Sequence, residues 1–321
     1  MNPLLRGCIG AAVCTLALGA QASASIGLGG YTLTGNYTID ALGGIGLEAS
    51  AVTYARDRGT LFVVGDEGLG VLELSRTGAV LGTMAFDWAG TGSTNNDAEG
   101  LTYLGAGRLV VVDERPQVAY RFDYAAGSTV ALNAQPRVAI TGSAASVGNV
   151  GTEGISYDPR DGRFFSVKQD NPAALRVSSL DFAVGGGSAA TTTLFSGATA
   201  LFGLSSLSDV QTLSGVDSLA GTAAADHLLI LSLDSRRLIE IDRSGNTMSS
   251  LDLASLTAQA IEGVTIDEFG TLFLVAEDSG TGNSRLLVLT PVPEPQTYAL
   301  MLSGLLALGW AARRRRDRER D

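Results

Sequence analysis

The chain has 321 residues, 45% of them apolar, 17% charged and 6% aromatic, with 41 glycines; this composition supports a packed core and excludes collagen, a coiled coil and disorder throughout. Setting aside Arg6 and the six arginines at positions 313 to 320 leaves 15 of the 22 basic residues in the body, 25 to 290. Setting aside Glu294, Asp317, Glu319 and Asp321 leaves 29 of the 33 acidic ones there, so the body repels nucleic acid and favours cations.

The first predicted element is an export address. Arg6 supplies one positive charge, an apolar run extends from Cys8 to Leu18, and Ala22-Ser23-Ala24 is a small-x-small site. That layout predicts a secretory signal peptide over 1–24, cut after Ala24. Both cysteines, Cys8 and Cys14, lie inside it, so the mature chain is expected to have no disulfide and no thiolate metal site.

The body, 25–290, repeats itself. Glu99-Gly100-Leu101-Thr102-Tyr103 recurs as Glu153-Gly154-Ile155-Ser156-Tyr157 and as Glu262-Gly263-Val264-Thr265-Ile266. Weaker copies start at Ser50 and Ser214. Anchoring on Ala51, Gly100, Gly154, Gly215 and Gly263 gives steps of 49, 54, 61 and 48 residues, the size of one four-stranded propeller blade. Each copy continues into a turn such as Gly105-Ala106-Gly107 or Pro159-Arg160-Asp161-Gly162 and then an apolar strand such as Leu109-Val110-Val111-Val112. Continuous apolar runs of this length suit strands buried on both faces, as between blades. Third strands such as Gly70-Val71-Leu72-Glu73-Leu74 alternate and are expected to be partly exposed.

The fold class is therefore an all-β propeller of five blades, or six if residues 178 to 208 hold a degenerate copy. Gly185-Gly186-Gly187-Ser188 and Thr191-Thr192-Thr193 make that stretch read instead as a long excursion between blades. The strand Tyr31 to Ile39 precedes the first copy and is expected to close the ring by joining the last blade, which removes open sheet edges.

The Glu-Gly-hydrophobic-Thr/Ser-Tyr openings, each followed by a turn, an apolar strand and an acidic cluster, together with Arg236-Arg237-Leu238-Ile239-Glu240-Ile241-Asp242 and Gly245, resemble the SdiA-regulated family of bacterial propellers over roughly 45 to 290. The resemblance implies a five-bladed propeller with a calcium site and no assigned reaction. Copies one and four depart from the pattern, with Ser50 and Ser214 in place of Glu.

Within a blade the second strand folds back beside the first, so Glu99 is expected near Asp113 and Glu114, Glu153 near Lys168, and Glu262 near Glu277 and Asp278, with Asp66 in the same column of blade one. Acidic side chains thus converge on one mouth of the central channel. Glu99, Glu153, Glu262, Asp66, Glu114 and Glu277 form the candidate metal site, with calcium as the expected ion, because Ca²⁺ accepts six to eight oxygens in loose geometry. Two structural alternatives stand beside it. Each Glu caps backbone amides of its own blade, or Lys168, the single lysine, neutralises Glu153 without a metal. His227, the one histidine, is expected at a turn, and no nucleophile elbow or phosphate loop occurs. Trp88 is either a binding aromatic or blade packing.

The last element, 291–321, reads Val292-Pro293-Glu294-Pro295, an apolar helix from Tyr298 to Ala312, then Arg313-Arg314-Arg315-Arg316. Fifteen helical residues rise about 22 Å, short of the roughly 30 Å hydrocarbon layer unless arginines snorkel. These residues resemble the PEP-CTERM sorting signal of Gram-negative bacteria. That resemblance implies export, a transient inner-membrane anchor formed by a short transmembrane helix, cleavage by an exosortase-type enzyme, and delivery to the cell surface or extracellular matrix. Two function classes follow: a calcium-stabilised surface module that binds an unidentified extracellular ligand or partner, or a calcium-dependent hydrolase of phosphoesterase or lactonase type working through the rim carboxylates.

Overall fold

The computed structural model describes residues 25–39, 44–277, 283–292 and 303–308; the expected signal peptide, Asp278 and the arginine-rich tail lie outside them. After β1 (Tyr31–Thr38), blade one is β2 (Ala49–Ala55), β3 (Thr60–Gly65), β4 (Gly70–Leu74) and β5 (Val80–Asp87). Blade two takes β6 (Ala98–Gly105), β7 (Arg108–Asp113) and β8 (Val118–Asp123). The chain then crosses to lay β9 (Thr129–Ala131) parallel to β5, and returns to finish blade two with β10 (Arg137–Ala139). Blade three is β11 (Thr152–Asp158), β12 (Arg163–Lys168), β13 (Ala174–Asp181) and β14 (Ser188–Ser196), followed by the short helix α1 (Ala198–Phe202). Blade four is β15 (Asp209–Thr212), β16 (Leu228–Ser232), β17 (Arg237–Ile241) and β18 (Thr247–Asp252). Blade five is β19 (Ile261–Ile266), β20 (Leu272–Ala276) and β21 (Arg285–Pro291), completed by β1 in antiparallel register from Tyr31 opposite Pro291 to Thr38 opposite Arg285. The ring closes as expected, and the innermost strands β2, β6, β11, β15 and β19 touch one another in that cyclic order.

The core is divided by the blades. Five apolar clusters occur among the described residues, one at each blade-to-blade interface. The apolar second strands feed two clusters each. In β3, Phe62 and Val64 pack toward blade two while Leu61 and Val63 pack toward blade five; in β7, Leu109 and Val111 face blade one while Val110 and Val112 face blade three. Period-two geometry sends successive side chains to opposite faces, so a strand between two neighbours must be apolar at every position.

Three expectations are corrected. Residues 178 to 208 are no excursion: they form the outer half of blade three, with the Gly-rich stretch making the β13–β14 hairpin, and five sheets leave no sixth blade among the described residues. The third strand β4 is not half-exposed: all five of its positions are buried, and its Glu73 is paired with Arg58 at 2.9 Å and accepts from the Thr60 hydroxyl, whereas β13 in blade three keeps exposed positions at Ser179 and Asp181. Alternating exposure belongs to the outermost strands β1, β14 and β18. His227 is a buried partner rather than a turn residue, with Nδ1 2.7 Å from Glu240 Oε1. Glu240 also accepts from the Ser25 and Ser249 hydroxyls and the Ile26 amide, which pins the start of the described chain to blade four.

Candidate metal centre at the acidic mouth

Four of the five inner strands enter the channel through a bulge. Ala98 lies opposite Asp113 and Gly100 opposite Val112, leaving Glu99 unpaired between them. The same slip leaves out Glu153 in β11, Glu262 in β19 and Ser50 in β2. A bulge frees a side chain from the pleat and re-aims it, which explains why the glutamates sit at that position. The small anchor beside each is required by crowding: a Cβ on Gly154 would lie 2.6 Å from Asp209 Cα, and one on Gly263 2.9 Å from Ala51 Cα.

This bulge register also corrects the fourth copy. Asp209 pairs with Leu231 as Gly100 pairs with Val112, so the true copy is Ser208-Asp209-Val210-Gln211-Thr212 and not the one starting at Ser214, which lies beyond β15. Anchors at 51, 100, 154, 209 and 263 are spaced 49, 54, 55 and 54, more even than before. Sequence reading missed it because Asp replaces Gly there. Asp209 is fully enclosed and its carboxyl accepts from the Val264 amide at 2.8 Å and its neighbour Val210 at 2.7 Å; burial pushes its pKa well above the usual range. It ties blade four to blade five.

The bulged carboxyls meet at one mouth. Oxygens of Asp66, Asp97 and Glu99 lie within 4.8 Å of one another. Glu99 is held well above the usual carboxyl range by burial first, and then by the charges of Glu262, Asp66, Glu114 and Asp97. Glu153 is raised in the same way by burial and by Glu99 and Glu114, and it is hydrogen-bonded to Glu114. Two carboxyls this close share a bond when one proton is held between them. Glu114 also accepts from the Gly151 amide at 2.8 Å. Burial and the nearby Glu277 and Asp66 push Glu262 up to about 8, and Asp66 is raised by burial, Asp97, Glu67 and Glu277. Asp113, buried beside this group, is pushed up to about 7 by the loss of water. All six predicted residues therefore share one electrostatic environment, while Ser50 and Ser208 leave two blades without a carboxyl at the matching position.

Two partners differ from expectation. Asp97, at the end of the polar loop 90–97 and outside the predicted set, is buried and belongs to the cluster, because the chain drops from that loop straight into β6. Lys168 does not neutralise Glu153. Its ammonium donates to the Asp170 carbonyl, and no ion pair joins it to Glu153 among the described residues. The ion-paired cation at this mouth is Arg115, which pairs with Asp97 and donates to Asn149 at 2.6 Å. Arg115 acts on Asp66, Asp97 and Glu114, and Lys168 on Glu114, so two cations stand against the seven carboxyls Asp66, Asp97, Glu99, Glu114, Glu153, Glu262 and Glu277, an imbalance that protons or a cation must relieve. Every candidate ligand is a carboxylate oxygen, the donor type of hard cations such as Ca²⁺. Trp88 packs within the blade: its indole donates to the Gly68 carbonyl at 2.6 Å and sits edge-on against Phe86 and Tyr120, and it borders a cavity of about 720 Å³ beside Glu67.

At the other end of the inner strands, the Thr/Ser of the motif forms a belt. Thr53 accepts from the Tyr103 amide at 3.1 Å, Thr102 from Tyr157 at 3.0 Å, Ser156 from Thr212 at 3.0 Å and Thr265 from Tyr54 at 3.1 Å. Blade four completes the circle with Gln211, whose Oε1 accepts from the Thr265 hydroxyl at 3.1 Å. Each blade is thus bonded to the next around the channel, which gives the hydroxyl position of the repeat its structural reason.

The profile of the SdiA-regulated family matches residues 25–279, and the PEP-CTERM protein-sorting motif matches residues 291–316. Among solved structures, the chain is similar to the Cps50 (Swd1) β-propeller domain of Myceliophteria thermophila at 14% identity and TM-score 0.37, covering 76% of this chain and 65% of that one. A luciferin-regenerating enzyme matches at 10% identity and TM-score 0.47, over 79% of this chain and 94% of that one. Virginiamycin B lyase from Staphylococcus aureus matches at 10% identity and TM-score 0.39, over 76% and 66%. The chain spans about two thirds of the length of the first and third. The described part of the sorting segment is helical over 303–308, and among the described residues no helix is long and apolar enough to cross a membrane.

Proposed function

We propose that this chain, which belongs to the SdiA-regulated family and ends in a PEP-CTERM sorting motif, is an exported propeller that acts as a calcium-stabilised binding module. The observation that carries the calcium reading is the clustering of Asp66, Asp97 and Glu99 oxygens within 4.8 Å, backed by Glu262, Glu114, Glu153 and Glu277. Carboxyls held protonated by one another are a poor resting state near neutral pH, and a divalent cation replaces those protons with a charge that all can share. Held in this way, the inner two strands of blades one, two, three and five keep their register, and the rim is rigid enough to present a surface to a partner outside the cell.

The sorting motif supports processing by exosortase-type machinery and export to the envelope. The finer reading is a leader removed after Ala24, a transient anchor through the apolar segment in the inner membrane of a Gram-negative cell, and release to the surface or matrix. A catalytic version rests on the proton shared by Glu153 and Glu114, which is the form a general acid would take; calcium would then polarise a phosphoryl or carbonyl oxygen. The body carries few basic groups to receive a phosphorylated substrate, which favours binding over hydrolysis. Elemental analysis of protein purified without chelator should find calcium, and a phosphoesterase and lactonase panel should find no turnover. Metal-free protein would overturn the first part, and turnover lost in Glu153→Gln would replace the second.

A further inference from the structure

The opposite mouth of the channel holds a second site that the calcium reading does not use. A cavity of about 560 Å³ opens there, below the hydroxyl belt, within the range of small-ligand pockets. Its aromatic wall is Tyr54, Tyr103 and Tyr157, the last residues of the repeated motif in blades one, two and three. Each ring is half-buried and braced from outside the cavity: Tyr54 stacks on Phe273 at 6.2 Å, Tyr103 on Phe62 at 5.8 Å, and Tyr157 packs on Phe164 at 5.0 Å.

The polar groups around these rings are acidic on balance. Glu268 lies close enough to Tyr54 to raise its pKa, and Glu268 Oε2 is buried without a hydrogen-bond partner in the protein. Tyr103 shares a hydrogen bond with Asp57, and its hydroxyl accepts from the Gly107 amide at 2.7 Å. Arg56 is the one cation in the cavity lining, and its charge is spent on Asp217 through bonds of 2.8 and 3.0 Å. Arg76 lies over the Tyr54 ring at 5.8 Å but is paired with Asp267, and Arg58, near Asp57, is paired with Glu73, so Glu268 and Asp57 leave net negative charge beside the three rings. A carboxylate oxygen left without a donor in such a place calls for a ligand that brings both a donor and a positive charge.

We propose that this tyrosine-lined mouth binds a small organic cation, an amine or quaternary ammonium, with its charged end against Glu268 and its carbon atoms on Tyr54, Tyr103 and Tyr157. The site is separate from the acidic mouth, since four residue steps along the strand, about 13 Å, divide Glu99 from Tyr103. It gives a propeller with a metal-held rim at one end a small-molecule pocket at the other. Neither site depends on the other being filled.

The test is calorimetric titration of the full chain with choline and with n-butylammonium, in saturating calcium and at constant ionic strength. Saturable binding of both is expected, with affinity lowered about tenfold or more in Glu268→Gln and in Tyr157→Leu, and unchanged in Asp252→Asn, exposed on the outermost strand of blade four. Because a tyrosine change can disturb packing, each variant is first shown to retain the parent's melting temperature in calcium, and Asp57→Asn serves as a second charge removal. Absence of saturable binding, equal binding of a neutral sugar such as glucose, or an equal loss of affinity in Asp252→Asn would each overturn the proposal.

Discussion

The two mouths of the channel are made by the same five residues and are chemically unlike. At one, the first residue of the motif is bulged and delivers Glu99, Glu153 and Glu262 into a carboxyl cluster in which charge is held down by protons. At the other, the fourth and fifth residues deliver a belt of hydroxyls with every acceptor matched to a donor on the next blade, and a wall of braced tyrosines. The comparison teaches that the ring is held by its hydrogen-bonded end and strained electrostatically at its acidic end. Stability at the belt should be indifferent to pH and calcium, and stability at the acidic mouth should respond to both.

The hardest way to break that arrangement is at the anchor between the two ends. In Gly263→Ala the new Cβ would lie 2.7 Å from Val275 and 2.9 Å from the Ala51 backbone, and backbone on the neighbouring blade cannot swing aside. A loss of about 3 kcal/mol in urea unfolding is expected. Calcium should act next most strongly: a hundredfold excess over Kd adds about 2.7 kcal/mol to the unfolding free energy. Glu153→Gln should reduce that gain, while Asp123→Asn, exposed on the outside of blade two, should not.

Calcium-free protein should lose stability as pH rises, by an amount on the order of 2 kcal/mol. The sign follows from Glu262, whose folded pKa is near 8 against an ordinary 4.5, and from Asp113, near 7 against 3.8. Between those values the folded protein holds protons that the unfolded chain has released, so raising pH from about 5 to 8 favours unfolding. Glu262→Gln should flatten the slope, measured by thermal melts across that range. The smallest effect is at the belt. Thr102→Val leaves the Tyr157 amide without its acceptor and should cost about 1 kcal/mol, equally at pH 5 and pH 8 and equally with and without calcium.

The blade count, the ring closure by Tyr31 to Ile39 and the convergence of acidic residues on one mouth were legible in the sequence because all follow from period and strand alternation. Ser208-Asp209-Val210 was not, since a side chain filling the space that other copies leave empty erases the Gly by which a copy is recognised. Asp97 was hidden for a different reason: it sits at the end of a polar loop, and only the fold shows that the loop ends inside the mouth. The belt was visible as a recurring Thr or Ser, but its partners lie in the next blade, about fifty residues away, and no local pattern names them. The burial of β4 was misread because Glu73 looks solvent-facing until Arg58 is seen above it.

The central claim is that the acidic mouth is a calcium site, and calcium titration calorimetry of chelator-treated protein at pH 8 tests it most directly. One saturable event is expected, accompanied by proton release as Glu262 and its neighbours ionise, and weakened in both Asp66→Asn and Glu99→Gln. No heat of binding at any calcium concentration, with an unchanged melting temperature, would contradict it and leave the carboxyls of this mouth as a proton-sharing structural cluster.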